Sequence, residues 1–202
     1  MNTTTLQARQ TAIAAGTSLL LSTLLATSSA WAETPSPGNY KIDPAHTSVM
    51  FTVSHLGISQ LVGRFNTVEG NIALDPKGKS SVEVVIATDS VDTNHTKRDD
   101  HLRSPDFFNA RQFPEMKFVS SKLHFGADGL EKIDGSLSLH GKTQPVTLAV
   151  DPVGAGKDPW GGYRAGYTAT TTIKRSDYGM NFMPGGIGDD IKVSLNIEGI
   201  KQ

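Results

Sequence analysis

The side chains of this 202-residue chain that could do chemistry are imidazoles, carboxylates and hydroxyls, because it contains no cysteine. Thiol catalysis and thiolate metal sites are thereby excluded. The six histidines are His46, His55, His95, His101, His124 and His140, and none falls in an H-x-H or H-E-x-x-H spacing. His95 and His101 lie close in sequence to Asp99 and Asp100, the one grouping with metal-ligand character. A solvated polar segment accounts for them better, since no spacing singles them out, and no metal is expected. For an enzyme, His55, His101 and Asp99 are the acid–base candidates, but they lack a paired nucleophile. No G-x-S-x-G elbow is present. Gly78-Lys79-Ser80 resembles the tail of a phosphate loop, yet the earlier glycine it needs is replaced by Ala73. Gly185-Gly186-Ile187-Gly188 misses the dinucleotide fingerprint and reads as a wide turn. Asn94-His95-Thr96 is a glycosylation sequon by chance. No catalytic constellation is present among these motifs.

The elements that carry these residues are mostly strands. Val49, Phe51 and Val53 alternate with polar or small neighbours across Ser48–Ser54, and Val82, Val84 and Ile86 do so across Ser81–Thr88. Ile133, Leu137 and Leu139 form another one-sided run, followed by Val146, Leu148 and Val150. The last run is the cleanest, with Ile191, Val193, Leu195 and Ile197 set against Lys192, Ser194, Asn196 and Glu198. Adding Tyr40–Asp43, Leu61–Leu74, Met116–Phe125 and Tyr163–Lys174 gives about nine strand candidates separated by Gly, Pro and Asp turns. One apolar face per strand fits an antiparallel sheet, and closing it into a barrel removes its edges. The exception is 92–114, which is charged and aperiodic. It is expected to hold two helical turns, the second with Ser104 as N-cap, Pro105 at the first helical position and Asp106 in the first turn. A connection of this length reads as a lid, with Leu102, Phe107, Phe108 and Phe113 turned inward.

The N-terminus has the export pattern. Arg9 is the only charged side chain before Glu33, an Ala/Leu-rich stretch follows, and Ala30-Trp31-Ala32 is a signal-peptidase site. The division expected is a signal peptide at 1–32, cleaved after Ala32, a linker at 33–38 and one domain at 39–202. That places the domain outside the cytoplasm, with no transmembrane segment after processing. The formal net charge of −1 argues against nucleic acid as a partner. An outer-membrane barrel would share the length and alternation but would turn its apolar face outward.

Several segments together resemble the YceI-like family of periplasmic polyisoprenoid-binding proteins. They are Tyr40-Lys41-Ile42-Asp43-Pro44-Ala45-His46-Thr47, Phe51-Thr52-Val53-Ser54-His55-Leu56-Gly57 and Val62-Gly63-Arg64-Phe65. The most specific block runs from Ser90-Val91-Asp92-Thr93 through Arg98-Asp99-Asp100-His101-Leu102-Arg103-Ser104-Pro105-Asp106-Phe107-Phe108 to Phe113-Pro114. Leu139-His140-Gly141-Lys142-Thr143-Gln144-Pro145-Val146 and Ile173-Lys174-Arg175-Ser176-Asp177-Tyr178-Gly179-Met180 complete it. The resemblance implies an all-β fold, a lipocalin-like antiparallel β-barrel with a short helical insertion at about 92–114. It further implies a non-covalently bound long-chain isoprenoid lipid, of quinone or polyprenyl phosphate type, with no cofactor, no metal and no enzymatic activity. The expected ligand-binding residues are Phe51, Val53, Phe65, Val84, Ile86 and Phe118 on the strands, and Leu102, Phe107 and Phe108 in the insertion. Transient membrane contact is expected; monomer and homodimer both remain open.

Overall fold

The computed structural model describes residues 34–202, Pro76 excepted, so the expected signal peptide lies outside the described residues. Alternating apolar side chains produce a continuous ladder of antiparallel strands that closes into an eight-stranded barrel. Three of the eight staves are interrupted. The first joins β1 (Gly38–Ile42) and β2 (Ser48–His55) through a 3₁₀ turn at Pro44–His46. The second joins β3 (Ser59–Phe65) and β4 (Val68–Leu74), and the third β5 (Ser81–Ala87) and β6 (Val91–Asp92). The remaining staves are β7 (Glu115–Gly126), β8 (Gly129–Leu139), β9 (Lys142–Lys157), β10 (Tyr163–Lys174) and β11 (Ile187–Lys201). Each pairs with its sequence neighbour. β11 closes the ring by pairing with β2 along Ile187–Asn196 and with β1 at Gly199–Lys201.

The apolar face of each strand points inward. Val49, Phe51 and Val53 of β2, Val82 and Ile86 of β5, and Ile133 and Leu139 of β8 are buried. The outer face carries polar pairs such as Lys117–Glu83 at 2.6 Å and Lys174–Asp190 at 2.8 Å. That is the inverse of a membrane-spanning barrel, whose outward face is an apolar band. Pro152 interrupts β9 where its register with β10 shifts between Gly166 and Tyr167, a bulge that tolerates the missing N–H.

The two barrel ends differ. One carries the turns at 75–80, 127–128 and 158–162, and Tyr40, Leu74, Leu130 and Ala165 fill it. The other carries the long connections: the β2–β3 hairpin tip, 93–114, the His140–Gly141 turn and 175–186. The long connection contains one helix, α1 (Thr96–Arg103). The structure differs here from the expected second helical start. Ser104 is the C-cap of α1, its N–H bonding to the His101 carbonyl, and no helix starts at Pro105. His95 is the N-cap instead, its ring accepting from the Arg98 N–H. Residues beyond Ser104 form successive turns, with Ser104 Oγ accepting from Asp106 N–H at 3.3 Å and Asn109 in the left-handed region.

Candidate functional site: an apolar cavity open at one end

Inward-facing side chains leave a cavity of about 760 Å³ along the barrel axis. The first wall comes from β2 and β3, where Phe51, Val53 and Phe65 face it; the second comes from β5 and β7, where Val84, Ile86 and Phe118 do. The connection after β6 supplies the cover, with Leu102 from α1 and Phe107 and Phe108 from the turns behind it. All nine side chains expected around a cavity therefore surround this one. Phe65 anchors wall to cover, its ring 5.7 Å from Phe51 and 5.3 Å edge-on to Phe108. Phe113 is a correction. It lies outside the cavity, packed 5.0 Å from the His140 ring and beneath Gly141, because the chain has already turned back toward β7.

Two glycines in the wall make room for aromatic rings. Phe51 and Gly63 are cross-strand partners, and a Cβ at Gly63 would lie 2.2 Å from the Phe51 ring. A Cβ at Gly135 would lie 2.5 Å from the Phe118 ring. Both rings lie flat over backbone that any other residue would obstruct. These pairings are not visible in the sequence, because they depend on the register of β2 with β3 and of β7 with β8.

The polar groups that reach the cavity include Arg98, His55 and His101 at the open end, Arg175, and Tyr167 deeper inside. Among the described residues no carboxylate lines it. Arg175 is buried and donates to the carbonyls of Met180 at 2.6 Å and of Ile187 and Gly188 at 3.0 Å, which fastens the 180–188 loop to the barrel. Burial pushes the Tyr167 phenol well above its ordinary range, so it stays a neutral hydroxyl. The Tyr178 phenol, buried in the 3₁₀ turn after β10, is pushed up to about 12 by burial and then by Asp177. Its oxygen has no hydrogen-bond partner among the described residues.

The acid–base candidates are not assembled for catalysis. Asp99 is buried away from the cavity and accepts from the Thr93 N–H at 2.9 Å and from the Thr93 hydroxyl. His101 is held by Asp106 at 2.8 Å and stacked edge-on by Phe107 and Phe182, and His55 stands at the rim. The His95, Asp99, Asp100 and His101 grouping does not converge on a metal-sized space. Asp43, His46 and Glu198 do approach one another, but the Arg164 guanidinium bonds both carboxylates, Asp43 at 2.6 Å. A cation already sits where a metal would.

The open end also holds the molecule's unusual backbone. Leu56, Asn94, His140 and Met183, together with Asn109, are the non-glycine residues with positive φ among those described, and every one lies in a connection at this end. Such conformations cost about 1–3 kcal/mol each and concentrate at functional sites.

The YceI-like domain model matches residues 40–199, essentially all of the described barrel. The chain belongs to the YceI-like family. This YceI-like protein is 46% identical over 187 residues to a UPF0312 protein of Shewanella denitrificans, covering 91% of this chain and 98% of that one. It is 43% identical to a UPF0312 protein of Pseudomonas aeruginosa, covering 81% and 87%. Among solved structures, Burkholderia cenocepacia BcnA superposes with a TM-score of 0.66 at 21% identity, covering 78% of this chain and 98% of that one. A polyisoprenoid-binding domain of Saccharophagus degradans superposes at 0.63 and 18% identity, covering 81% and 98%. At these identities the structural likeness shows the barrel fold, the all-β architecture with one short helix.

Proposed function

We propose that this YceI-like protein is a periplasmic binding and carrier protein for a long-chain isoprenoid lipid, without enzymatic activity. The observation that carries the proposal is the cavity: about 760 Å³, walled by apolar side chains, and opening at one end of the barrel. A volume of this size lined in this way suits one slender apolar ligand. Burying such a chain contributes up to about 0.8 kcal/mol per carbon before the cost of ordering it. The name of the Saccharophagus degradans neighbour, a polyisoprenoid-binding domain, supports the ligand class. The export pattern at residues 1–32 supports the compartment.

The test is mass spectrometry of organic extracts from protein purified without detergent, beside two variants. Phe65→Asp places a carboxylate among apolar groups at a cost of several kcal/mol. Ala169→Phe, an inward position of β10 on the cavity wall, fills the space with apolar bulk instead. The expected outcome is an isoprenoid in the wild type and its loss from both variants. Equal lipid content in a folded Ala169→Phe protein would refute the cavity as the ligand site.

A further inference from the structure

The barrel's exposed apolar side chains are not spread evenly. Of the nine large apolar side chains exposed among the described residues, Leu56, Ile58 and Val62 of the β2–β3 hairpin and Phe182 and Met183 of the 175–186 loop stand together at the open end, while Phe125, Val153 and Trp160 lie toward the other end and Val119 on the outer wall. Ile58 is 84% exposed at the hairpin tip. The two segments are tied together, the Leu56 N–H bonding to the Gly186 carbonyl at 2.6 Å, so they form one lip. Leu56 and Met183 occupy the left-handed region, a conformation that branched or bulky side chains adopt at a cost. An apolar rim of this kind around an opening marks a surface that meets something apolar.

The rim is continuous with the cavity. Val62, Phe182 and Met183 are exposed and also line the cavity, so the apolar surface runs unbroken from the interior over the lip. On the cover side, β3 pairs with β6 only at Arg64 and Phe65. Ser59–Gly63 therefore present an edge not paired on that side among the described residues, facing the mouth where Arg98 and His101 also line the cavity. The ionisable groups on the cavity wall near this opening are arginines and histidines, with no carboxylate among the described lining residues.

We propose that the lip formed by Leu56, Ile58, Val62, Phe182 and Met183 docks into the surface of a lipid bilayer, with the cavity opening directly onto the leaflet. This deepens the carrier reading and rests on it. A long isoprenoid chain passing through water would expose its whole apolar length on the way. A lip seated among acyl chains removes that step, because the ligand slides from one apolar phase into another. Arg98, which lines the opening, then stands near the depth of the lipid phosphates, where positive charge is favoured. A protein partner or second copy on the same rim would cover the opening through which the ligand must pass.

The experiment uses vesicles of phosphatidylethanolamine and phosphatidylglycerol, with and without a long-chain isoprenoid quinone as probe. Flotation measures docking. Quinone uptake is measured from vesicles and, separately, from detergent micelles. Ile58→Glu changes an exposed side chain that does not line the cavity, and Trp160→Glu is its control at the opposite end, where Trp160 is 80% exposed. The wild type and Trp160→Glu should float with vesicles, while Ile58→Glu should lose about tenfold in flotation and in uptake from vesicles. Uptake from micelles should be unchanged in all three. Flotation and vesicle uptake by Ile58→Glu equal to the wild type would overturn the docking proposal. So would a wild-type dimer that Ile58→Glu dissociates without altering vesicle uptake. If the wild type takes up no quinone from micelles yet still floats through Ile58, the carrier reading fails for this probe and the docking face stands.

Discussion

Asp43 shows how one side chain can fasten a barrel seam. It ends β1 and caps the 3₁₀ turn, accepting from Ala45 N–H at 3.0 Å. Hydrogen bonds from His46 and then Arg164 hold its carboxyl down at about 2, below the ordinary 3.8. Arg164, on β10, also reaches Glu198 on β11 and Asp158 in the preceding turn, so the cluster clamps the strands that close the ring. Because folding favours the ionised form, its stabilisation is complete above pH 3.8 and is lost as the pH falls toward 2. Asp43→Asn should therefore lower the unfolding free energy by about 1–2 kcal/mol at neutral pH. The wild-type and variant curves should converge near pH 2, and denaturant titrations at several pH values measure both. A constant gap down to the lowest pH would show that the lost interaction is not the ionised carboxylate. This cluster could not be read in the sequence, since its partners are far apart along the chain. The cavity wall could: a strand's period of two assigns Phe51, Val53, Val84 and Ile86 to one face without knowledge of any partner.

The connection between β6 and β7 is legible in its place against the cavity and differs from expectation in its parts. Its length and mixed composition identified a cover, and Leu102, Phe107 and Phe108 do face the cavity. Ser-Pro-Asp is a strong helix-start signal, but here the chain leaves α1 at Ser104 and spends the next residues in turns that drop two phenylalanines over the opening. A helix continued past Ser104 would have carried them along its axis instead. The cover is fastened by Arg103, which donates to the Asp89 carbonyl at 2.6 Å, the Val91 carbonyl at 2.8 Å and the Asp100 carboxylate at 3.1 Å. Val91 is fully buried, so removing Arg103 leaves its carbonyl without this donor. Arg103→Ala should cost about 1–3 kcal/mol, felt locally. Hydrogen exchange should speed up across residues 96–110, with the β8–β9 ladder unchanged, and lipid should leave faster. Loading the wild type with lipid should protect the same residues. Exchange in the cover that is indifferent to both changes would make it a fixed plug.

At the scale of the whole molecule, the strand count could be approached from the sequence while the closure could not. Leu61–Leu74 reads as one strand because its apolar residues continue past Phe65, whereas the structure breaks it at Asn66 and Thr67, where β3 turns from β6 toward the β4–β5 pairing. Such breaks let the first three staves bend around a wide interior, and pairing of β1 with β11 is a contact between the chain's two ends that no local pattern encodes. The barrel so closed has a definite capacity. At about 30 Å³ for each water-sized unit of liquid volume, 760 Å³ corresponds to roughly 25 carbons, or about five isoprene units. Affinity should therefore climb with each unit added to a polyprenyl series, by several-fold per unit, and level off near that length. The climb reflects apolar area removed from water; the plateau follows because further units lie outside the lip and gain nothing from the wall. Isothermal titration or quinone-fluorescence competition across the series measures the curve. Saturation by about three units would mean that only part of the interior is used. Continued tightening beyond about ten would mean that the barrel expands around its ligand, a behaviour at odds with a closed ring of hydrogen-bonded strands.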